Sequence, residues 1–285
     1  MRVYLIRHAE SEHNVAQVYA GVTDSALTNH GMLQIERLAR HFRAQGVQFT
    51  RVFASPLQRA RLTAEGLCKE PNASSLQPIL LPVLMEKDFG SLEGESWRTS
   101  TVARSTLPPT LGLDHKEPES VASMAARANQ FRDDFLLPLL YADLETTEVV
   151  AIVSHGIVLS VLWETLTTLC QHDHLVYSAT VQAQARRPGW SNTGYMELDI
   201  LKAPGGIARH ISCNSPPENS EARSHSAQGA RVTDSLSTIT LKITVHTVNC
   251  RQHLQNLRRT GSGIGSAAYD PKQKRINNFF VAPGG

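Results

Sequence analysis

Two stretches of the chain are apolar without polar relief, and each runs straight into a polar turn. Val3-Tyr4-Leu5-Ile6 meets Arg7-His8-Ala9-Glu10-Ser11, and Val149-Val150-Ala151-Ile152-Val153 meets Ser154-His155-Gly156. Short runs of this kind predict strands buried on both faces, in the middle of a parallel sheet. Between them the apolar positions recur at helical spacing. Met32, Ile35, Leu38, Ala39 and Phe42 form one stripe, with Thr28 as its cap and Gly46 as its stop. Val121, Met124, Ala128, Phe131 and Phe135 form another over Ser120–Leu140, with Pro138 near its end, and a further helix follows Gly156 through Leu169. Val52-Phe53-Ala54 predicts a second strand, after which Ser55 suits a helix cap and Pro56 the first helical position. Ile79–Leu84 predicts a third strand. Tyr195–Leu201 and Ile239–Val248 alternate with period two, which predicts an antiparallel edge pair. Residues 99 to 118 lack periodicity and carry Pro108, Pro109 and Pro118, as a loop or lid over a site would.

Composition narrows the class. The chain has 285 residues, 41% hydrophobic and 19% charged, with a net charge of +2, enough for one large domain with appendages. So even a balance predicts no nucleic-acid or membrane binding by field alone. The first strand begins at residue 2 and no apolar run reaches spanning length, so neither a signal peptide nor a membrane segment is expected. Cys68, Cys170, Cys213 and Cys250 match no metal or disulfide spacing, which suits reduced thiols in the cytoplasm or nucleus. Residues 1–212 with 238–249 read as the folded domain. Residues 213–237, rich in Ser, Pro, Asn and Glu, read as a disordered insertion, and 250–285 as a basic tail.

Open α/β sheets bind ligands just beyond the carboxyl ends of their strands. There the pattern delivers Arg7-His8, Arg59 in the first turn of a helix, His155, and Glu86. Arginine offers planar, permanently charged donors that suit a tetrahedral dianion. Two arginines converging on one point would repel a cation, so His8, His155 and Glu86 are not read as a metal triad and no cofactor is expected. A neutral, oriented histidine can attack phosphorus, and a carboxylic acid can protonate the leaving alkoxide. Glu86 is the candidate acid and Asp88 its rival.

These residues, with their neighbours, resemble a known family. Arg7-His8-Ala9-Glu10-Ser11 with Asn14, Leu27-Thr28 with Gly31 and Gln34, Ser55-Pro56-Leu57-Gln58-Arg59-Ala60, Glu86 with Phe89-Gly90 and Glu93-Gly94, and Ser154-His155-Gly156 occur in the order of the histidine phosphatase, or phosphoglycerate mutase-like, superfamily. The resemblance implies a three-layer α/β/α sandwich with a mostly parallel sheet. It implies His8 as the phosphorylated nucleophile, Arg7, Arg59, His155 and Asn14 as phosphate contacts, and Glu86 as proton donor. Ala9 stands where many members have glycine. Nothing between Gly94 and Ser120 resembles the long segment of the glycolytic mutases, which favours a phosphatase over a mutase. Glu86–Gly90 and Trp190–Tyr195 look most like a fungal branch that includes a subunit of the factor recruiting RNA polymerase III, so a scaffold role in a nuclear assembly is the alternative.

Two motifs lie outside this set. In the tail, Gln273, Ile276, Phe279 and Phe280 resemble the box by which many proteins bind the DNA sliding clamp, one helical turn presenting an apolar plug. His172-Asp173-His174 has metal-binding residue types but no third ligand nearby, and reads as a loop.

Overall fold

In the computed structural model, alternate residues of the first strand, β1 (Arg2–Arg7), face two separate cores. Val3 and Leu5 point into one, Tyr4 and Ile6 into the other, as a period of two requires when a strand is covered on both sides. The structure describes residues 1–69, 76–98, 115–142, 147–179, 181, 188–203, 240–259 and 263–272. The clamp-like residues Gln273, Ile276, Phe279 and Phe280, the 213–237 segment, Cys213, and residues 99–114 lie outside that set.

The elements run in chain order as β1, a short α1 (Glu12–Ala16), α2 (Asn29–Ala44), β2 (Arg51–Ala54), α3 (Gln58–Cys68), β3 (Ile79–Leu80), α4 (Val121–Phe131), a π turn (Arg132–Leu136), α5 (Leu137–Tyr141), β4 (Val149–Ser154), α6 (Gly156–Thr167), β5 (Cys170–Tyr177), β6 (Tyr195–Lys202) and β7 (Leu241–Cys250). Seven strands form one sheet in the order β3-β2-β4-β1-β6-β7-β5. β1 pairs in parallel with β4, Val3 opposite Val150, and antiparallel with β6, Val3 opposite Leu198. One core packs Phe53, Met124, Phe131, Leu159 and Leu162 between the sheet and α4–α6, while the other packs Leu38, Phe42, Ala60 and Ala64 between the sheet and α2 and α3. This is the three-layer α/β/α sandwich with a mixed sheet.

Local chemistry explains the element ends. Thr28 caps α2 by accepting the Gly31 N–H at 3.0 Å, and Gly46, at φ +68°, takes the left-handed turn that ends it. The Ser120 side chain likewise caps α4.

Several expectations need correction. The third strand stops after two residues because Pro82 opens a 3-10 turn, Pro82–Leu84. The β6–β7 pair is antiparallel but not an edge: β6 lies beside β1, and β5 outside β7 is the edge strand. β5 includes His172-Asp173-His174, which is therefore strand and not loop. Ser55 does not cap α3, whose first residue is Gln58. Beyond Cys250 the chain stays on the domain: His253 is buried, Ala267 O accepts the Asn29 N–H, and Tyr269 N–H reaches Leu27 O. The described residues after Cys250 thus include ones that pack on the domain. No described helix is long and apolar enough to cross a membrane.

Candidate active site

β1 and β4 run parallel, so both end at the same edge of the sheet, and His8 and His155 follow directly. Their rings lie 5.0 Å apart between centroids and both are buried. The His8 N–H of the main chain donates to Ser154 O at 2.9 Å, which ties the two strand ends together.

His8 Nδ1 sits 2.7 Å from the carbonyl oxygen of Ala9. A carbonyl can only accept, so Nδ1 carries the proton and Nε2 the lone pair. Burial, then the charges of Arg59 and Arg7, hold the imidazole well below its ordinary pKa and keep it neutral. That is the protonation state a histidine nucleophile needs. The Ala9 N–H donates to Thr63 Oγ1, and its methyl group packs with Leu27 and Ile35.

Arg7 donates through Nη1 to Trp190 O at 2.7 Å, whereas its Nε is buried with no partner among the described residues. An orphaned cationic donor beside a neutral histidine has the chemistry to suit an anion. Arg59 is 1% exposed and held differently. Its Nη1 reaches Thr23 O at 2.8 Å and its Nη2 reaches Ala20 O at 2.9 Å and Gly21 O at 2.7 Å. Its Nε–H donates to His155 Nδ1 at 3.3 Å. Burial lowers its pKa to about 10, which leaves it charged at neutral pH.

The loop that grips Arg59 is shaped by Glu93, whose carboxylate accepts the N–H groups of Gly21, Val22, Thr23 and Phe89. A Cβ on Gly21 would fall 1.9 Å from Lys87 O, so only glycine lets the two loops meet.

His155 accepts from Arg59 at Nδ1 and therefore donates from Nε2 to Ser55 Oγ, 2.9 Å away. Both nitrogens are engaged inside the protein, a difference from the simple phosphate contact expected of it. Burial, then Arg59, His8 and Arg7, hold its pKa well below the ordinary value.

Glu86 lies beyond the 3-10 turn, not at a strand end, and is buried against the start of α6. It accepts from Ile157 N–H at 3.2 Å, Val158 N–H at 3.3 Å and Lys87 N–H at 2.9 Å. Burial nonetheless outweighs these donors and the two arginines, so its carboxyl is pushed above the ordinary range. Asp88 faces away: it pairs with Lys116 at 2.5 Å, accepts the Gly90 N–H, and has a lowered pKa from both. Of the two carboxyls, the surroundings of Glu86 favour the protonated form and those of Asp88 the charged one. Asn14 Oδ1 accepts from Ser11 N–H at 3.2 Å and from Asn192 Nδ2 at 2.9 Å, leaving its amide N–H₂ to donate.

The structure thus brings Arg7, His8, Arg59, Glu86 and His155 to one buried locus, with Asn14 linked to His8 through Asn192, which donates to His8 O at 3.1 Å. Ser55, Glu93 and Asn192 support the site; the sequence reading quotes them within motifs but gives them no part in the site. Periodicity and spacing do not reveal their roles, since each acts on backbone or on another side chain. Among the described residues, no group of three or more His, Cys, Asp or Glu side chains could hold a metal ion.

Comparison with known proteins agrees with this geometry. A family model described as the histidine phosphatase superfamily (branch 1) matches residues 3–180. A probable phosphatase of Schizosaccharomyces pombe is 31% identical over 283 residues, covering 96% of this chain and 78% of its own. A probable phosphoglycerate mutase of Erwinia tasmaniensis is 34% identical over 182 residues, 59% of this chain and 76% of that one. The crystal structure of phosphoglycerate mutase from Bacillus anthracis shares the fold at a TM-score of 0.53 and 19% identity, over 70% of this chain and 87% of that one. With the family match spanning both strand ends that carry the paired histidines, this chain belongs to the histidine phosphatase superfamily (branch 1).

Proposed function

We propose that this protein is a metal-independent phosphomonoester phosphatase that works through a phosphohistidine on His8. One observation carries the reading: a neutral His8, locked with its lone pair on Nε2, lies beside Arg7, whose buried Nε–H has no partner. Nε2 attacks phosphorus, the bond to the leaving alkoxide breaks, and Glu86 gives that alkoxide its proton. The Glu86 carboxylate then takes a proton from the water that attacks the phosphohistidine, releasing orthophosphate and restoring both groups. Arg7, Arg59 and the Asn14 amide hold the peripheral oxygens while charge redistributes among them. A bound dianion also offsets the positive charges that, after burial, keep the His155 pKa low.

The substrate class is a phosphorylated small molecule or phosphoprotein, and a panel of phosphomonoesters would rank its members. With an aryl phosphate, His8→Ala is expected to abolish phosphate release and a chelator to leave it unchanged. Turnover retained by His8→Ala, or lost with the chelator, overturns the reading. The relatives named phosphoglycerate mutases favour a second one, interconversion of 2- and 3-phosphoglycerate, which incubation with either isomer decides. Absence of turnover together with stable retention by a nuclear partner would favour the scaffold alternative instead.

A further inference from the structure

The chemistry just described uses nothing beyond β4 and the start of α6, yet the turn entering β6 grips the nucleophile's backbone from the other side. Thr193 is wholly buried and sits at φ +55°, a left-handed conformation that a β-branched residue avoids. Its N–H reaches Arg7 O at 3.0 Å and His8 O at 3.2 Å, and Gly194 O accepts the Arg7 N–H at 3.1 Å. These three bonds of the turn are therefore made with the two residues whose placement decides the reaction.

What keeps Thr193 in that conformation comes from the far end of the chain. Its hydroxyl donates to Asn192 O at 2.7 Å, so towards His253 Nε2, at 2.9 Å, it can only accept. His253 belongs to the 3-10 turn Gln252–Leu254 that follows β7, and its ring stacks on Tyr195 at 6.3 Å and lies 5.7 Å from His41. Its Nδ1 is buried with no partner among the described residues. A side chain needed only for packing would be better served by phenylalanine, which strands no polar atom. Asn249, also left-handed at φ +48°, accepts the Ser191 N–H at 2.9 Å and approaches so closely that a Cβ on Gly194 would lie 2.2 Å from its Oδ1. These residues fall outside the stretch matched by the family model, which ends at residue 180.

We infer that His253 is a positioning residue for the reaction at His8: through Thr193 it holds the 190–194 turn whose N–H and C=O groups aim the Arg7-His8 backbone. The inference rests on His8 being the nucleophile.

The test uses His253→Phe, which keeps the ring and removes the donor, and His253→Gln, which restores an N–H near the Nε2 position. Turnover of p-nitrophenyl phosphate and the melting temperature are measured for each. His253→Phe is expected to lower kcat on the order of 10-fold, with KM within about twofold, because small displacements of a reacting group cost rate rather than binding. His253→Gln is expected to recover most of that loss at a similar melting temperature, which a packing role would not produce. Thr193→Gly keeps the left-handed backbone but removes the acceptor. It should match His253→Phe, and the double variant should lose little more.

A kcat for His253→Phe within about twofold of the parent, or a His253→Gln no better than His253→Phe, overturns the inference. Should His253→Phe fail to fold, Thr193→Gly decides alone, and parental kcat there overturns it. Turnover by the parent chain without a phosphohistidine on His8 would instead strike the underlying reaction, and is seen separately by trapping the phosphoenzyme.

Discussion

On one side of β1 lies β4, running parallel, and on the other lies β6, running antiparallel. A parallel neighbour finishes where β1 finishes, so its last residues and the helix after it can send side chains to the same point. From that side come His155, the α6 N-terminus and the Glu86 it holds. An antiparallel neighbour begins there, so what reaches His8 is the turn leading in. That turn offers the Trp190 and Gly194 carbonyls, the Thr193 N–H and the Asn192 amide. Most reacting groups sit on the parallel half, and on the antiparallel half sit groups that only aim the Arg7-His8 backbone.

The contrast can be broken in graded steps. His8→Ala removes the group both halves serve, and turnover of an aryl phosphate should fall by roughly 10⁴-fold or more. Glu86→Gln, on the parallel half, should cost about 10²–10³-fold in kcat, more for alkyl than for aryl phosphates, since alkoxides need the proton more. Because burial raises the Glu86 pKa, the parent's kcat should decline as pH rises through that value, and Glu86→Gln should be flat there. Asn192→Ala, on the antiparallel half, should cost about 10-fold in kcat, by releasing His8 O and Asn14 together. Asp88→Asn should stay within about threefold, because its carboxylate is committed to Lys116.

Stability adds a pH signature shared by both halves. His8, His155 and His253 are held neutral by burial, with pKa values below the ordinary 6.5, and that of His253 falls to about 4. The unfolded chain binds these protons near 6.5 and the folded chain does not. Their contribution is therefore intact above pH 6.5 and is lost as pH falls towards the folded values. A melting temperature constant across that window would refute the neutral assignments.

The parallel half was the legible one. Uninterrupted runs such as Val149–Val153 announce central strands, and the polar residue after each run announces the site. Ile79–Leu84 looks like one strand because Leu81 and Val83 suit a strand, while Pro82 takes the first position of a 3-10 turn. β5 was missed because Gln171, His172, Asp173 and His174 break any apolar alternation on an edge strand. Ser55-Pro56 has the pattern of a cap followed by a first helical residue, yet the Ser55 hydroxyl takes the His155 N–H and α3 begins later. On the antiparallel half the strands β6 and β7 show as alternation, but the aiming role of the turn entering β6 left almost no trace, since its contribution is mostly backbone and any residue carries an N–H and a C=O. Thr193 and Asn249 even occupy left-handed positions where a glycine would have marked the turn.

Arg59 is gripped by three neutral carbonyls and by no carboxylate. Although Glu86, Asp24 and Glu93 act on it from a distance, much of its positive charge is thus left for whatever anion arrives, including the one that remains after the ester is cut. Orthophosphate should therefore leave slowly and compete with fresh substrate. Added chloride should relieve that inhibition only weakly, because so enclosed a charge is poorly screened.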